Sequence, residues 1–275
     1  MQQQKGWPWA TPFSFVRPLV MGIVNVTPDS FSDGGRFLDP SQAIAQGLRL
    51  RDEGADFVDV GGESTRPGAV AVGSEEELRR VLPVIEGLVK EGVAVSVDTM
   101  KPEVMRAAIH AGCVVVNDVH AFRAEGALEA VARAEVGVVA MHMQGTPGTM
   151  QKEPRYDDVV EEVTEFLLER AHALEAAGVA RGRIALDPGF GFGKTVDHNK
   201  ALFGALPRIA SHGYPVLAGV SRKKMIGDFT GRPAAERIAG SVAAALMAVQ
   251  NGASIVRVHD VKETVDAINV WMELK

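Results

Sequence analysis

Eight short apolar runs alternate with eight longer amphipathic ones, and that alternation leaves the chain few folds. The apolar runs cover residues 19–26, 56–60, 94–97, 114–117, 137–141, 184–186, 215–220 and 254–258. They are brief and rich in β-branched side chains, the pattern of strands buried on both faces. Helical patterns lie between them. Residues 41–53 place Ile44, Leu48 and Arg51 on one face. Ser74-Glu75-Glu76-Glu77 reads as a capping box ahead of Leu78, Leu82 and Ile85. Pro102 opens a helix that Gly112 ends, and further helices are expected over 125–134, 157–177, 195–210, 233–250 and 261–273. Strict strand–helix alternation implies a parallel sheet with right-handed crossovers. Eight such units in 275 residues predict an α/β fold of one domain, a (β/α)8 TIM barrel. A doubly wound sheet would carry a glycine fingerprint after its first strand. Here Thr27-Pro28-Asp29-Ser30-Phe31-Ser32-Asp33-Gly34-Gly35 has none. Residues 1–18 are expected to form an N-terminal cap segment, and 19–275 the barrel.

Composition removes several function classes. The chain has 29 basic and 35 acidic residues, a net charge of −6, without the basic excess of a nucleic-acid binder. Hydrophobic residues make up 46%, enough for a packed core and too many for a disordered chain. The single cysteine, Cys113, allows no internal disulfide and no cysteine metal cluster, and its apolar neighbours favour a buried thiol. No signal-peptide pattern opens the chain. No segment reaches the roughly 18 charge-free apolar residues that span a bilayer. A cytoplasmic protein that binds neither membrane nor nucleic acid is expected.

The chemistry-bearing residues cluster where strands end. A buried parallel strand has no reason to end in polar side chains unless something there requires them. Yet the runs end in Asn25, Glu63-Ser64-Thr65-Arg66, Asp98, Asn117-Asp118, His142, Asp187, Ser221-Arg222-Lys223-Lys224, and Arg257 with His259-Asp260. In a barrel all these ends meet on one rim, where active sites lie. Bland readings stand beside this: Asp98 and Asp187 could cap helices, Asn117 could satisfy backbone, and Arg222 and Lys223 could be surface charges. His142 reads as a packing residue. Arg257 and His259 are two apart, so they face the same way on a strand and suit an oxyanion such as phosphate. Two long loops, 27–37 and 64–73, are rich in Gly, Pro and Ser and suit closure over a substrate. Two carboxylates, an amide and several cations suit a heterocycle edge rich in N–H donors together with a multiply charged anion. Mg²⁺ needs little more than one amide oxygen beside substrate phosphates.

Met21-Gly22-Ile23-Val24-Asn25-Val26 with the 27–35 loop, Gly61-Gly62-Glu63-Ser64-Thr65-Arg66-Pro67-Gly68, Asp187-Pro188-Gly189-Phe190-Gly191-Phe192-Gly193-Lys194, Gly219-Val220-Ser221-Arg222-Lys223 and Arg257-Val258-His259-Asp260 together resemble the signatures of the dihydropteroate synthase family. The resemblance runs in order from about residue 19 to the end. It implies a pterin-binding (β/α)8 barrel, usually a homodimer, and a transferase activity. That activity joins 4-aminobenzoate to (7,8-dihydropterin-6-yl)methyl diphosphate and releases pyrophosphate by an SN1-like route. By resemblance, Asp98, Asn117, Met141, Asp187, Phe192, Gly219 and Lys223 hold the pterin. Asn25 ligates Mg²⁺, and Asn25, Thr65, Arg257 and His259 take the diphosphate. Phe31, Pro67, Phe192, Ser221 and Lys224 line the 4-aminobenzoate pocket. Asp33 and Arg66 close the lid, and with Lys223 they form the catalytic set. Lys224 stands where the family commonly has Ser. A methyltetrahydrofolate-binding methyltransferase barrel would need no diphosphate site. A Schiff-base aldolase would need a desolvated lysine away from other cations. A non-catalytic pterin-binding paralogue would have lost rim residues that are present here.

Overall fold

A computed structural model describes residues 17–27, 39–65 and 68–275. Among these residues eight strands form a single parallel sheet: β1 (Leu19–Asn25), β2 (Phe57–Gly61), β3 (Val95–Asp98), β4 (Val115–Asp118), β5 (Gly137–Met141), β6 (Ile184–Asp187), β7 (Leu217–Ala218) and β8 (Ile255–Val258). The order is β6-β5-β4-β3-β2-β1-β8-β7. A parallel bridge from Leu186 to Val216 joins the two ends and closes the barrel. Ten α-helices are present among the described residues: α1 (Pro40–Asp52), α2 (Ser74–Lys90), α3 (Pro102–His110), α4 (Ala127–Ala132), α5 (Val159–Ala176), α6 (Val196–Gly204), α7 (Leu206–Ala210), α8 (Lys224–Thr230), α9 (Ile238–Gln250) and α10 (Val261–Leu274). None of the described helices is long and apolar enough to cross a membrane. Of the segment 1–18, only Arg17 and Pro18 are described. Arg17 pairs with Asp56 at 2.7 Å just before β2.

The strand period of two sorts side chains into an inner and an outer set. Val58, Val60, Val95, Val97, Val116 and Val256 join the large cluster between strands and helices. Met21, Phe57, Val115, Val139, Ala185, Leu217 and Ile255 form a separate small cluster, the apolar floor inside the barrel. Two residues further along the same inner rows stand Asp59, Asn117, Met141, Asp187, Gly219 and Arg257. Four of these rows, those of Asp59, Asn117, Asp187 and Arg257, therefore change from apolar to polar in one step, and this polar layer sits at the C-terminal mouth.

Several local expectations need correction. Ser74 does not form a capping box. Gly73 occupies the cap position, and the Glu77 carboxylate, buried, goes to Lys101 instead of reaching back to the helix start. The buried face of α1 is Ala43, Gly47 and Leu50, one residue back from the expected row. A Cβ on Gly47 would lie 2.7 Å from Leu88, so close helix contact selects a small residue there. The expected 195–210 helix breaks between α6 and α7, where Pro207 lies in the first turn of the second piece. The short helix α8 and the 3₁₀ turn Ala234–Glu236 precede α9, where one helix from 233 was expected.

Candidate active site

Register brings the strand ends into one arc. Asn25 lies beside Gly61, Gly61 beside Asp98, and Asp98 beside Asn117. On the far wall Met141 lies beside Asp187. At the centre, Arg257 reaches across from β8. Its Nε donates to Asp59 Oδ2 at 2.6 Å and its Nη2 to Asp98 Oδ2 at 2.8 Å. Asn117 Nδ2 donates to the same Asp59 oxygen at 3.1 Å. Four residues from four strands thus share one buried network. It leaves polar atoms over: Asp59 Oδ1, Asn117 Oδ1 and the neighbouring Ser96 Oγ are buried without a hydrogen-bond partner among the described residues. Buried acceptors are seldom left so.

The bland readings of these residues do not hold. Asp98 meets Arg257 and caps no helix. Asp187 Oδ1 accepts from Gly189 N at 2.7 Å, shaping the loop after β6. Asn117 bonds a carboxylate, not backbone. Lys223 lies at the start of α8 with its Nζ 4.1 Å from the centre of the Phe192 ring, and that Nζ makes no hydrogen bond among the described residues. Arg222 is no free surface charge, because it pairs with Asp260.

Burial tunes the charges. It pushes the Asp98 carboxyl up to about 7 despite the opposing charge of Arg257, with Asp59 adding to the rise. Asp187 is likewise raised, to about 6, against the pull of the Gly189 N–H and Lys223. Burial, aided by Arg257, lowers Lys223 to about 8. His259, expected from the sequence to meet an oxyanion beside Arg257, is held down at about 4 by burial and by Arg257 and Arg222. It is neutral at pH 7. Its Nδ1 lies 3.1 Å from Ser221 Oγ, which also accepts its backbone N–H at 3.2 Å.

Other expected residues take simple positions. Met141 is buried in a patch with Val119, Met143 and Met150, against which Phe192 packs. Gly219 lies before Ser221, and a Cβ there would approach that of Arg257 at 4.0 Å. Thr65 is half-buried, and Lys224 is exposed in the first turn of α8. Phe31, Asp33, Arg66 and Pro67 lie outside the described residues. No cluster of three His, Cys, Asp or Glu side chains among the described residues could hold a metal. Asn25 offers one neutral oxygen donor at the mouth. That donor set fits Mg²⁺ held mainly by substrate oxygens and water, and no all-protein cage.

Sequence reasoning missed Asp59. It lies mid-strand, so an inspection of strand ends passes over it; the inward phase shared with Phe57 was the available signal. Reasoning also missed the buried Lys194, whose Nζ lies 2.9 Å from His142 Nδ1 and donates to the Gly189 and Phe192 carbonyls at 3.0 Å. This side chain, which burial lowers to about 7, ties the β6 loop to the end of β5. The loop approaches so closely that a Cβ on Gly189, at φ +68°, would lie 1.9 Å from the His142 carbonyl oxygen.

Residues 21–259 match the family described as pterin binding enzyme, and the chain belongs to it. The dihydropteroate synthase of Neisseria meningitidis serogroup C is 53% identical over 94% of this chain and 93% of that protein. The structure of Xanthomonas albilineans dihydropteroate synthase with 4-aminobenzoic acid has 58% identity and a TM-score of 0.89, over 94% of this chain and 93% of that one. The dihydropteroate synthase from the same organism in complex with 7,8-dihydropteroate has 54% identity and a TM-score of 0.86, over 95% of both chains.

Replacing Arg257 with Met would leave Asp59 and Asp98 buried together without their cation. Such a loss typically costs about 3–5 kcal/mol. Asp98 has a raised folded pKa, so its ionisation weighs against the fold as pH climbs through about 7. Urea unfolding of Arg257→Met should therefore show a larger loss at pH 8 than at pH 5. An equal loss at both pH values would count against the buried network.

Proposed function

We propose that the chain is a dihydropteroate synthase, a transferase joining 4-aminobenzoate to a dihydropterin-methyl diphosphate. One observation carries the reading: unpartnered acceptors of Asp59 and Asn117 lie in the same mouth as Asp98, Asp187 and Lys223. The pterin's amino-pyrimidine edge presents N–H donors. Asp98, Asp187 and Asn117 would accept from it, and Lys223 would donate to the ring acceptors, with Met141, Gly219 and Phe192 as walls. The relatives' complexes with 4-aminobenzoic acid and with 7,8-dihydropteroate support the same substrate classes.

The reaction places its electrostatic demand on the leaving group. The bond from the methylene carbon to the diphosphate oxygen breaks, and its electron pair leaves with the diphosphate. The amine nitrogen of 4-aminobenzoate then forms the C–N bond with its own lone pair and gives up one proton to solvent. That amine is already unprotonated at neutral pH, so the site needs no strong base. Of the Arg257 nitrogens, Nη1 is engaged by neither carboxylate, and it would meet the diphosphate with Thr65. Neutral His259 would help by hydrogen bonding and not by charge. Mg²⁺ at Asn25 would supply further neutralisation of the leaving group. Ser221, Phe192 and Lys224, with Phe31 and Pro67, would border the 4-aminobenzoate. Asp33 and Arg66 would belong to loops that close and exclude water.

The deciding assay mixes the purified protein with Mg²⁺ and the pterin diphosphate, with and without 4-aminobenzoate. Pyrophosphate release coupled to dihydropteroate formation is expected; pterin binding without turnover would refute the reading. The pH profile follows from the shifts. Asp187 at about 6 and Asp98 at about 7 must ionise to accept the pterin N–H groups, and Lys223 at about 8 must stay protonated. Thus kcat/KM should climb between pH 5 and 7 and fall above 8. Lys223→Arg, whose guanidinium does not titrate in this range, should abolish the alkaline fall. A fall unchanged in that variant would assign it to another group.

We infer further that the protein works in the cytoplasm as a homodimer. The support for the dimer is an apolar groove between α9 and α10, lined by Leu246, Val270, Trp271 and Leu274, with Met247, Val270 and Leu274 exposed. Light scattering should report a dimer for the wild type and a monomer for Val270→Glu; a monomeric wild type would refute the assembly.

A further inference from the structure

Arg222 precedes Lys223 and holds a backbone conformation that L side chains seldom adopt. Its φ is +55°, and the only other non-glycine residues with positive φ among those described are Ala121 and Phe122. A non-glycine residue stays there only when its surroundings fix it. Here its backbone N–H and carbonyl and two of its three guanidinium nitrogens are all engaged. The Arg222 N–H donates to Ser241 Oγ at 2.9 Å. Its carbonyl accepts from Arg237 Nη1 at 3.1 Å, and the same nitrogen reaches the Lys223 carbonyl at 3.3 Å. The guanidinium grips Asp260 with two nitrogens, Nε to Oδ2 at 3.0 Å and Nη2 to Oδ1. Asp260 follows His259, whose ring is bonded to Ser221. The segments that follow β7 and β8 are therefore tied twice, through Ser221 with His259 and through Arg222 with Asp260.

We propose that Arg222 is a positioning residue: its two-pronged pair with Asp260 holds the turn that aims Lys223 across the mouth toward Phe192 and Asp187. For its consequence in catalysis, the proposal rests on the transferase reading above. Asp260 is buried, and each of its carboxylate oxygens accepts from the Arg222 guanidinium. The pair's work is to offset the unfavourable φ while the Ser241 and Arg237 bonds fix the path of the chain.

This gives two substitutions opposite outcomes. Arg222→Ala removes the pair and keeps a side chain that disfavours positive φ, so the turn relaxes and Lys223 swings away. Arg222→Gly removes the same pair together with the penalty, and the backbone bonds to Ser241 and Arg237 still hold the turn. A residue of merely structural charge would make the two variants alike.

The test reads Lys223 directly and needs no turnover. Acylation of Lys223 by an amine-reactive reagent is followed across pH by peptide mass spectrometry in the wild type and both variants. The groups acting on Lys223 are Arg257, Asp187, Asp98, Lys194 and His259, and none of them is changed. Arg222→Ala should move the labelling midpoint toward that of an ordinary exposed lysine, and Arg222→Gly should leave it near the wild-type value. In parallel, KM for the pterin diphosphate should rise about tenfold in Arg222→Ala, the scale of a backbone conformational penalty, and return most of the way in Arg222→Gly. Asp260→Ala should match Arg222→Ala, and the double variant should add nothing. Equal midpoints in Arg222→Ala and the wild type, with the fold intact by circular dichroism, would overturn the proposal. So would equal shifts in the Ala and Gly variants. If the wild type binds and labels normally yet never turns over, the transferase reading fails while the labelling still decides the role of Arg222.

Discussion

Arg257 carries one positive charge into the barrel, and two carboxylates, Asp59 and Asp98, meet it at 2.6 and 2.8 Å. Burying a guanidinium with two carboxylates is expensive. The cost of removing each from water is several kcal/mol, and well-packed apolar side chains in their place are often equally stable or more so. Stability therefore does not explain the network. What it provides is a fixed set of acceptors: once Arg257 and Asn117 have taken Asp59 Oδ2, the other Asp59 oxygen and the Asn117 oxygen have no partner among the described residues. A ligand rich in N–H groups completes the arrangement.

The same burial sets the proton balance of the mouth. Asp187, Asp98 and Lys223 fall at about 6, 7 and 8, so small electrostatic changes alter their protonation near neutrality. An N–H edge favours the ionised carboxylates, and ionised carboxylates in turn favour the protonated lysine. Binding one heterocycle thus charges the site coherently. The leaving-group side obeys another rule, because His259 is neutral and Arg257 is already engaged on two nitrogens. Charge for a diphosphate must then come from the remaining face of the guanidinium and from the rim.

The barrel was legible because its signal is periodic and repeated. β-Branched runs and helical runs alternate eight times, and no single ambiguous segment could alter that outcome. Much of the site was legible for a related reason: polar residues at the ends of buried strands contradict the local pattern. Asp59 escaped because it contradicts the pattern in mid-strand. The inward row Phe57, Asp59 and Gly61 would have revealed it, as Val115 reveals Asn117 and Ala185 reveals Asp187. The errors at α1 and α2 came from tertiary contacts without a local trace. Gly47 is small because Leu88 lies against it, and Glu77 abandons the helix start because Lys101 is there to receive it. The neutrality of His259 likewise depends on burial beside two guanidinium groups that are 2 and 37 residues away in sequence. Phe31, Asp33, Arg66 and Pro67 fall outside the described residues, and their roles rest on the sequence pattern alone.

The central claim is that the polar layer above the apolar floor is the seat of the pterin. A crystal structure of the protein soaked with 7,8-dihydropteroate tests it most directly. The account predicts the pterin ring within hydrogen-bond distance of Asp98, Asn117, Asp187 and Lys223, with the aminobenzoate end pointing to the rim. A ring bound elsewhere, with the Arg257 network untouched by ligand, would contradict it.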